Sequence, residues 1–310
     1  MEHATTTLTP VPPYDFDKTA NHITYFRGYC GADRFHEGTF LRLLDLGTDL
    51  CLVRVRSRGT VDSPSLELEI TGTAVNDAVL SSARKQVSSI LGIDQDLGPF
   101  CRMAREDPVL KVLISTLRGL HIPQTASLWE ALVFAVIGQQ VNAGLAHMLR
   151  TLFVESCGAS LTESGTTYHA FPQPEAILEA GEAGLRAIKL GNKKSRFIVD
   201  IATAITSGTP GLAHLATLSD EEVIVSLTAM RGVGPWTAQW VLLRCLNRPD
   251  IFPHGDLALR RSLGLLLGRD APLSPEEALA YSRRWSPHRS CVTAYIFAAS
   301  RSGHLAGTDQ

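Results

Sequence analysis

The stretch RGVGPWTAQW at residues 231–240 combines glycine, proline and tryptophan in a pattern suited to ligand binding. Gly232 and Gly234 allow a tight turn and leave the backbone bare of side chains. Pro235 is typical of the first position of a helix, where free amides face outwards at the positive end of the helix dipole. Such a turn binds a phosphate group without reading the base sequence. On its own the pattern fits an ordinary connection between two helices equally well.

Two tryptophans occupy the helix that follows this turn. Trp236 and Trp240 are four residues apart and therefore share one helix face. They either pack into a core or present an aromatic surface to a flat ligand. An aromatic face attracts a desolvated cation by about 2 kcal/mol or more, so the second arrangement favours a positively charged ligand.

A single carboxylate stands out downstream, in the stretch FPHGDLAL at residues 252–259. Asp256 precedes an apolar run and is well placed to cap the free amides of a helix. The same carboxylate is able to stabilise positive charge that develops on a substrate in a site sheltered from water, or to orient an attacking water molecule. The two roles are compatible.

The hairpin followed by Asp256 resembles the signature of the helix–hairpin–helix DNA glycosylase superfamily. Within it, the chain looks most like the 3-methyladenine DNA glycosylase II branch. Three further stretches carry the resemblance: PPYDF at 12–16, AVIGQQVNAGLA at 135–146 and RWSPHRSCVTAYIF at 284–297. The resemblance therefore covers most of the chain.

By this resemblance Asp256 is the catalytic carboxylate, which stabilises the oxocarbenium-like sugar when an N-glycosidic bond breaks. The lyase members carry a lysine at the position of Trp236, and that lysine forms a Schiff base with the sugar. Tryptophan cannot attack the sugar. The resemblance therefore implies an enzyme that releases a base, leaves an abasic site and has no lyase activity.

The resemblance also implies a base pocket lined by Trp236, Trp240 and Phe297. Phe297 stands where the family often has tryptophan, and His22 falls near a further aromatic position. Alkylated purines such as 3-methyladenine and 7-methylguanine are cationic in DNA, so aromatic rings would attract them. The two tryptophans fit an apolar core as well.

The target nucleotide has to leave the duplex, and a side chain then fills the gap in the base stack. Gln140 matches the position of that side chain, and Gln139 beside it is also expected to contact DNA. Both glutamines also fit a solvated turn between helices. Arg289 either contacts DNA or buttresses Asp256 or its loop. The remaining residues that we expect to contact DNA lie in the hairpin: Gly232, Gly234 and Thr237.

The hairpins of this superfamily often hold a monovalent cation on backbone carbonyls. By position these carbonyls are those of Thr228, Met230 and Val233, and the cation is Na⁺ or K⁺. No organic cofactor and no catalytic metal are expected.

The pattern of apolar residues predicts two kinds of architecture. LELEI at 66–70 alternates as a half-buried strand does, and residues 76–91 follow helical spacing. We therefore expect an α+β N-terminal domain with an antiparallel sheet over 1–103, followed by an all-α helix–hairpin–helix glycosylase core over 104–310. The core is expected to have two subdomains with the active-site cleft between them: about 126–250 with the hairpin, and 104–125 together with 251–310.

Composition excludes several classes of protein. The six cysteines lie far apart without a CxxC motif, so we expect reduced thiols and no zinc or iron–sulfur site. No apolar run is long enough to cross a membrane, and the N-terminus does not resemble a signal peptide. The formal net charge of −2 neither indicates nor excludes binding to nucleic acid. We expect a cytoplasmic monomer whose partner is double-stranded DNA.

Taken together, the sequence predicts a monofunctional glycosylase that removes alkylated purines from double-stranded DNA in base excision repair. One alternative in the same class is a glycosylase for deaminated or oxidised bases. A second alternative is a non-catalytic helix–hairpin–helix DNA-binding protein, and a third is a helical scaffold without DNA contact.

Overall fold

A computed structural model describes residues 1–47 and 49–305. Its N-terminal part is a six-stranded antiparallel sheet in the order β1-β6-β5-β4-β3-β2. The strands are β1 Glu2–Leu8, β2 Tyr29–Cys30, β3 Asp33–His36, β4 Thr39–Asp45, β5 Leu50–Ser57 and β6 Leu66–Gly72. Two helices accompany the sheet: α1 Phe16–Ile23 and α2 Asp77–Ile90.

The alternation in β6 explains which face of the sheet is covered. Leu66, Leu68 and Ile70 are fully buried in the core of this part. Glu67 lies on the opposite face, where it accepts a hydrogen bond from Arg58 at 2.7 Å. The strand predicted at 66–70 is thus formed. The predicted helix is α2, which begins after Asn76, whose side chain accepts the amide of Val79 at 3.0 Å.

From residue 98 to residue 305 the regular structure is helical, apart from one small hairpin of β7 Ser160–Glu163 and β8 Thr166–His169. The helices are α3 Gly98–Glu106, α4 Leu110–Thr116, α5 Leu128–Gly138, α6 Ala143–Cys157, α7 Pro174–Ala187, α8 Asn192–Thr206, α9 Leu212–Thr217, α10 Asp220–Thr228, α11 Pro235–Arg244, α12 Leu257–Leu266, α13 Pro275–Ser282 and α14 Arg289–Arg301, with a short 3₁₀ turn at Arg283–Trp285. Across the described residues, no helix has both the length and the apolar character needed to cross a membrane. All six cysteines are free, as predicted.

Two hydrophobic cores divide the helical part. The first joins α5 to α8, α10 and α11, and the second joins α3, α4, α12 and α14. Trp240 and Cys291 contact both cores, so they mark the seam between the two halves. The second core includes Phe100 and Cys101, which lie on the N-terminal side of residue 103. We therefore propose that the helical part begins with α3, at Gly98.

A buried ion-pair network ties the sheet to the helical part. Arg42 of β4 donates to Asp33 at 2.8 Å and to Glu130 of α5 at 2.6 Å. All three side chains are almost completely buried. Because Glu130 lies on α5, this network fixes the helix whose C-terminal end carries Gln139 and Gln140.

Candidate active site

The glycine turn joins α10 to α11 in the way that the sequence predicts. Gly232 has φ +85°, a left-handed conformation that favours glycine. Gly234 precedes α11, and no side chain caps the helix there. A Cβ added to Gly234 would meet nothing within 4 Å. The N-terminus of α11 is therefore open, so its free amides are accessible to a phosphate.

Gln139 holds this turn against the end of α5. Its side-chain Nε2 donates to the carbonyl of Gly232 at 2.9 Å and to the hydroxyl of Thr237 at 3.0 Å. Thr237 is buried, so its hydroxyl faces the protein. The neighbouring Gln140 is exposed and has φ +55°. The two glutamines are thus separated: Gln139 braces the turn, and Gln140 projects from it.

Asp256 lies at the start of α12 and uses both carboxylate oxygens. Its Oδ1 accepts the amide of Leu259 at 2.9 Å, as a helix cap does. Its Oδ2 accepts the indole Nε1–H of Trp236 at 2.9 Å. The hydrogen bond between Trp236 and Asp256 connects α11 to α12 and places the carboxylate beside the glycine turn. The side chain remains partly exposed.

The three aromatic residues predicted for a base pocket form one row that starts at Asp256. The ring centroids of Trp236 and Trp240 are 5.9 Å apart, and those of Trp240 and Phe297 are 5.5 Å apart. Trp236 and Trp240 are partly exposed, whereas Phe297 is buried. Behind the row, His22 lines a void of about 10 Å³ together with Trp240 and Phe297. This void has room for about one water molecule, so the side chains that line it have to move before a base can enter.

A family comparison agrees with this geometry. The model of the HhH-GPD superfamily of base excision DNA repair proteins matches residues 133–288. The chain belongs to this superfamily. The matched range contains Gln139, the glycine turn, Trp236 and Asp256. The predicted superfamily and the predicted fold class are confirmed.

Relatives of this HhH-GPD protein include enzymes with named substrates. A DNA-3-methyladenine glycosylase of Bacillus subtilis is 35% identical over 213 residues, which are 69% of this chain and 70% of that protein. A 3-methyladenine DNA-glycosylase from Archaeoglobus fulgidus has a TM-score of 0.82 at 23% identity, over 97% of this chain and 100% of that chain. This second likeness concerns the fold, and it extends to the N-terminal sheet.

A third relative is a 3-methyladenine DNA glycosylase of Schizosaccharomyces pombe, whose structure contains abasic DNA. Its TM-score is 0.56 at 26% identity, over 67% of this chain and 97% of that chain. This relative therefore covers about two thirds of the length of the HhH-GPD protein.

Arg289 does not lie against Asp256. Its guanidinium is paired with Asp250, at 2.7 Å from Nε to Oδ1 and 2.8 Å from Nη2 to Oδ2. Asp250 also accepts the hydroxyl of Ser286 at 2.7 Å. This pair links α14 to the loop that leads from α11 towards Asp256. A DNA contact by Arg289 stays a prediction.

The carbonyls expected to hold a cation lie at the end of α10 and in the turn that follows it. The carbonyl of Met230 accepts the amide of Val233 at 3.1 Å. Thr228 is the last residue of α10. Carbonyl oxygens are hard ligands of the kind that suits alkali cations, and the cation site stays a prediction.

The sequence patterns did not indicate four residues that lie around the aromatic row. Tyr25 and Phe26 follow α1, and both have positive φ, at 56° and 58°. Arg150 on α6 donates to the hydroxyl of Tyr25, and the guanidinium of Arg301 lies 4.2 Å from the centroid of the Tyr25 ring. Both arginines stand in apolar helical stretches, and this was the signal in the sequence that could have drawn attention to them.

Proposed function

We propose that this protein is a monofunctional DNA glycosylase that hydrolyses the N-glycosidic bond of alkylated purines in double-stranded DNA. The substrates are of the 3-methyladenine and 7-methylguanine class. Membership of the HhH-GPD superfamily and the names of the relatives support a glycosylase of base excision repair. The observation that carries the proposal is the hydrogen bond between Trp236 and Asp256, because it aims a carboxylate at the mouth of a phosphate-binding turn.

The carboxylate of Asp256 supplies the electrostatic part of the reaction. When the bond between C1′ and the base nitrogen breaks, its electron pair stays on the base and positive charge develops on the sugar. A fixed carboxylate stabilises this charge more than it stabilises the neutral sugar. Asp256 then orients the water whose oxygen bonds to C1′. An alkylated purine starts as a cation and leaves as a neutral base, so the reaction needs no strong general acid.

The side chain at position 236 separates hydrolysis from lyase chemistry. A lyase needs an amine that attacks C1′ and forms a Schiff base, whereas the indole nitrogen of Trp236 is a donor without nucleophilic character. Its hydrogen is already given to Asp256. The abasic site therefore remains in an intact strand.

DNA binding is assigned to the turn and to the end of α5. The free amides after Gly234 hold a phosphate of the strand, and Gln140 enters the gap that the extruded nucleotide leaves. Gln139 holds the end of α5 against the glycine turn through its hydrogen bonds to Gly232 and Thr237. The carbonyls of Thr228, Met230 and Val233 hold a monovalent cation when it is bound, and that ion adds positive charge beside the phosphate. The protein acts as a monomer.

A panel of duplexes with single lesions tests this function. We expect release of 3-methyladenine and 7-methylguanine, intact strands after the reaction, and no covalent adduct when sodium borohydride is present. Strand cleavage together with a trapped adduct would contradict the monofunctional mechanism. Preferential release of uracil or 8-oxoguanine would replace the proposed substrate class by the deaminated and oxidised bases.

A further inference from the structure

Two arginines contact Tyr25 next to the row of aromatic rings, and a third lies close to them. Arg150 donates a hydrogen bond to the hydroxyl of Tyr25. The guanidinium of Arg301 is held between two rings, 4.2 Å from the centroid of Tyr25 and 5.0 Å from that of Phe297. Arg244 lines the void behind Trp240 together with Arg301. The row thus ends in a cluster of cations.

Within the described residues, no carboxylate lies within hydrogen-bonding range of this cluster. Among the ion pairs of residues 1–47 and 49–305, none involves Arg150, Arg244 or Arg301. Each has a buried N–H group without a partner in this part of the chain, namely Nε of Arg150, Nε of Arg244 and Nη1 of Arg301. The indole Nε1 of Trp240 has no partner either. The cluster therefore offers several donors, and an arginine held by rings keeps its N–H groups free to bind an acceptor.

The charges of the three arginines shift the pKa values of Arg301 and Tyr25. Burial lowers the pKa of Arg301 to about 10, and the charges of Arg244 and Arg150 act in the same direction. Burial alone would raise the pKa of Tyr25, but the charges of Arg150 and Arg301 outweigh it and lower that pKa. The charge of Asp256 acts on Arg301 in the opposite sense and raises its pKa. Arg301 and Asp256 are therefore within electrostatic range of each other.

This arrangement limits what the aromatic row can bind. Aromatic rings attract a cationic base, but three partly buried guanidinium groups repel it. The amino group at C6 of an adenine base is a hydrogen-bond donor, and the unpaired N–H groups of the cluster cannot accept a hydrogen bond from it. A carbonyl oxygen is an acceptor and would satisfy an unpaired N–H group, whose burial without a partner is costly.

We propose that Arg301 is a specificity-determining residue that donates a hydrogen bond to the carbonyl oxygen at C6 of the extruded purine. The pocket then prefers 6-oxopurines, such as 7-methylguanine, to 6-aminopurines, such as 3-methyladenine. This inference rests on the proposed glycosylase function. It adds to that function a preference for 7-methylguanine over 3-methyladenine, two bases that carry the same positive charge in DNA.

The same hydrogen bond strengthens during the reaction. The bond from C1′ to N9 breaks with its electron pair going to the base, so 7-methylguanine changes from a cation to a neutral molecule. Its repulsion from Arg301 disappears, and O6 becomes a better acceptor. Water supplies the oxygen that bonds to C1′, and the proton lost from that water passes to solvent. The interaction thus contributes to kcat as well as to binding.

Duplex DNA treated with methyl methanesulfonate tests the proposal, because it contains both bases in one substrate. Released bases are separated by chromatography for the wild type, Arg301→Met and Arg301→Lys. We expect Arg301→Met to slow release of 7-methylguanine at least about 10-fold, as for the loss of a charged hydrogen bond. Release of 3-methyladenine should be unchanged or faster. Arg301→Lys should recover part of the loss, since lysine keeps the charge but not the planar fork.

Arg105→Met provides the control, since Arg105 is an exposed arginine on α3 and its loss should leave both rates unchanged. An equal fall in the two rates for Arg301→Met, or no fall in either, would overturn the proposal. Failure of the wild type to release either base would instead contradict the glycosylase function itself.

If Arg301→Met does not fold, inhibition of the wild type by free bases gives a second measurement. Hypoxanthine and adenine differ at C6 in the required way, with an oxygen in one and an amino group in the other. Hypoxanthine should inhibit at a concentration lower by about 10-fold, again the value of one charged hydrogen bond. Equal inhibition by both bases would contradict the preference for a 6-oxo group.

Discussion

The indole Nε1 of Trp236 and the carboxylate Oδ2 of Asp256 are 2.9 Å apart and form a direct hydrogen bond. This contact joins the first turn of α11 to the proposed catalytic carboxylate. It also occupies the position at which a lyase needs a lysine. In the proposed mechanism, one side chain thus orients the carboxylate and offers no amine for a Schiff base.

Replacement of Trp236 by phenylalanine should slow the reaction without unfolding the protein. The side chain stays aromatic, but Asp256 loses the N–H donor that aligns its Oδ2. We expect kcat to fall by about 10-fold, the lower range for a hydrogen bond to a charged group. Single-turnover release of 7-methylguanine measures this change.

The matched control is Trp285→Phe, because Nε1 of Trp285 also donates to an aspartate, Asp107, at 2.9 Å. This pair lies in the second helical core, and Trp285 is fully buried. We expect a loss of about 1.5–3 kcal/mol in the free energy of unfolding and an unchanged kcat for the folded enzyme. Equal kcat values for the two variants would mean that the bond to Asp256 has no special role.

The two glycines of the turn should respond differently to alanine. A Cβ at Gly232 would lie 2.3 Å from Cγ of Phe197, and the residue has φ +85°. Gly232→Ala should therefore lower the free energy of unfolding by at least about 1–2 kcal/mol, the strain of a left-handed residue alone.

Gly234→Ala should keep the stability, since its Cβ would meet no atom within 4 Å. It should weaken binding to duplex DNA because the new methyl group stands in front of the free amides. Urea unfolding and a DNA titration at several salt concentrations measure both effects. Wild-type affinity of Gly234→Ala would contradict phosphate binding at the turn.

Gln140→Ala should reduce activity on duplex DNA and leave activity on single-stranded DNA nearly unchanged. A side chain that fills the gap in the base stack is needed only where a base pair has to be opened. Extrusion of a paired base costs a few kcal/mol. We expect kcat/KM on the duplex to fall by about 10-fold or more. A similar fall on both substrates would show that Gln140 acts in some other way.

Stability should decline as the pH falls below about 6.5. Burial lowers the pKa of His22 well below its ordinary value, and the charges of Arg301 and Arg244 add to this effect. The unfolded chain therefore takes up a proton near pH 6.5 that the folded protein does not accept. This difference favours the unfolded state as the pH falls, so stability is kept at high pH and lost at low pH.

His22→Phe should make the free energy of unfolding less sensitive to pH by about 1 kcal/mol per unit between pH 6 and 5. Replacement of His36, which is exposed, by glutamine should leave that slope as in the wild type. Urea unfolding at a series of pH values measures the slopes. Identical slopes for wild type and His22→Phe would mean that His22 titrates normally in the folded protein.

Much of the fold follows from local patterns in the sequence. The alternation in β6, the helical spacing of α2 and the capping boxes at Ser219 and Ser274 all appear in the structure. β1 was not predicted because EHATTTL has few apolar residues, and its strand forms by pairing with β6. Residues 306–310, part of the tail assigned to the helical core, lie outside the described residues.

The site was predictable only in part, for a physical reason. Asp256 and Trp236 belong to contiguous motifs whose spacing carries the resemblance, and the structure brings them together. Arg150 and Arg301 stand out in apolar helical stretches, but nothing in those stretches identifies their partner. Their role depends on Tyr25, which reaches them from the N-terminal part of the chain. Contacts of that kind arise from packing and leave little trace in local sequence.

The most direct test of the account is base release by Asp256→Asn. Asparagine caps a helix as well as aspartate does, so the amide of Leu259 keeps its acceptor and the protein should retain its stability and its affinity for DNA. Only the negative charge is lost. We expect single-turnover release of 7-methylguanine to slow by about 100-fold or more, as for loss of a preorganised electrostatic partner. Release at the wild-type rate would remove Asp256 from the mechanism and contradict the account.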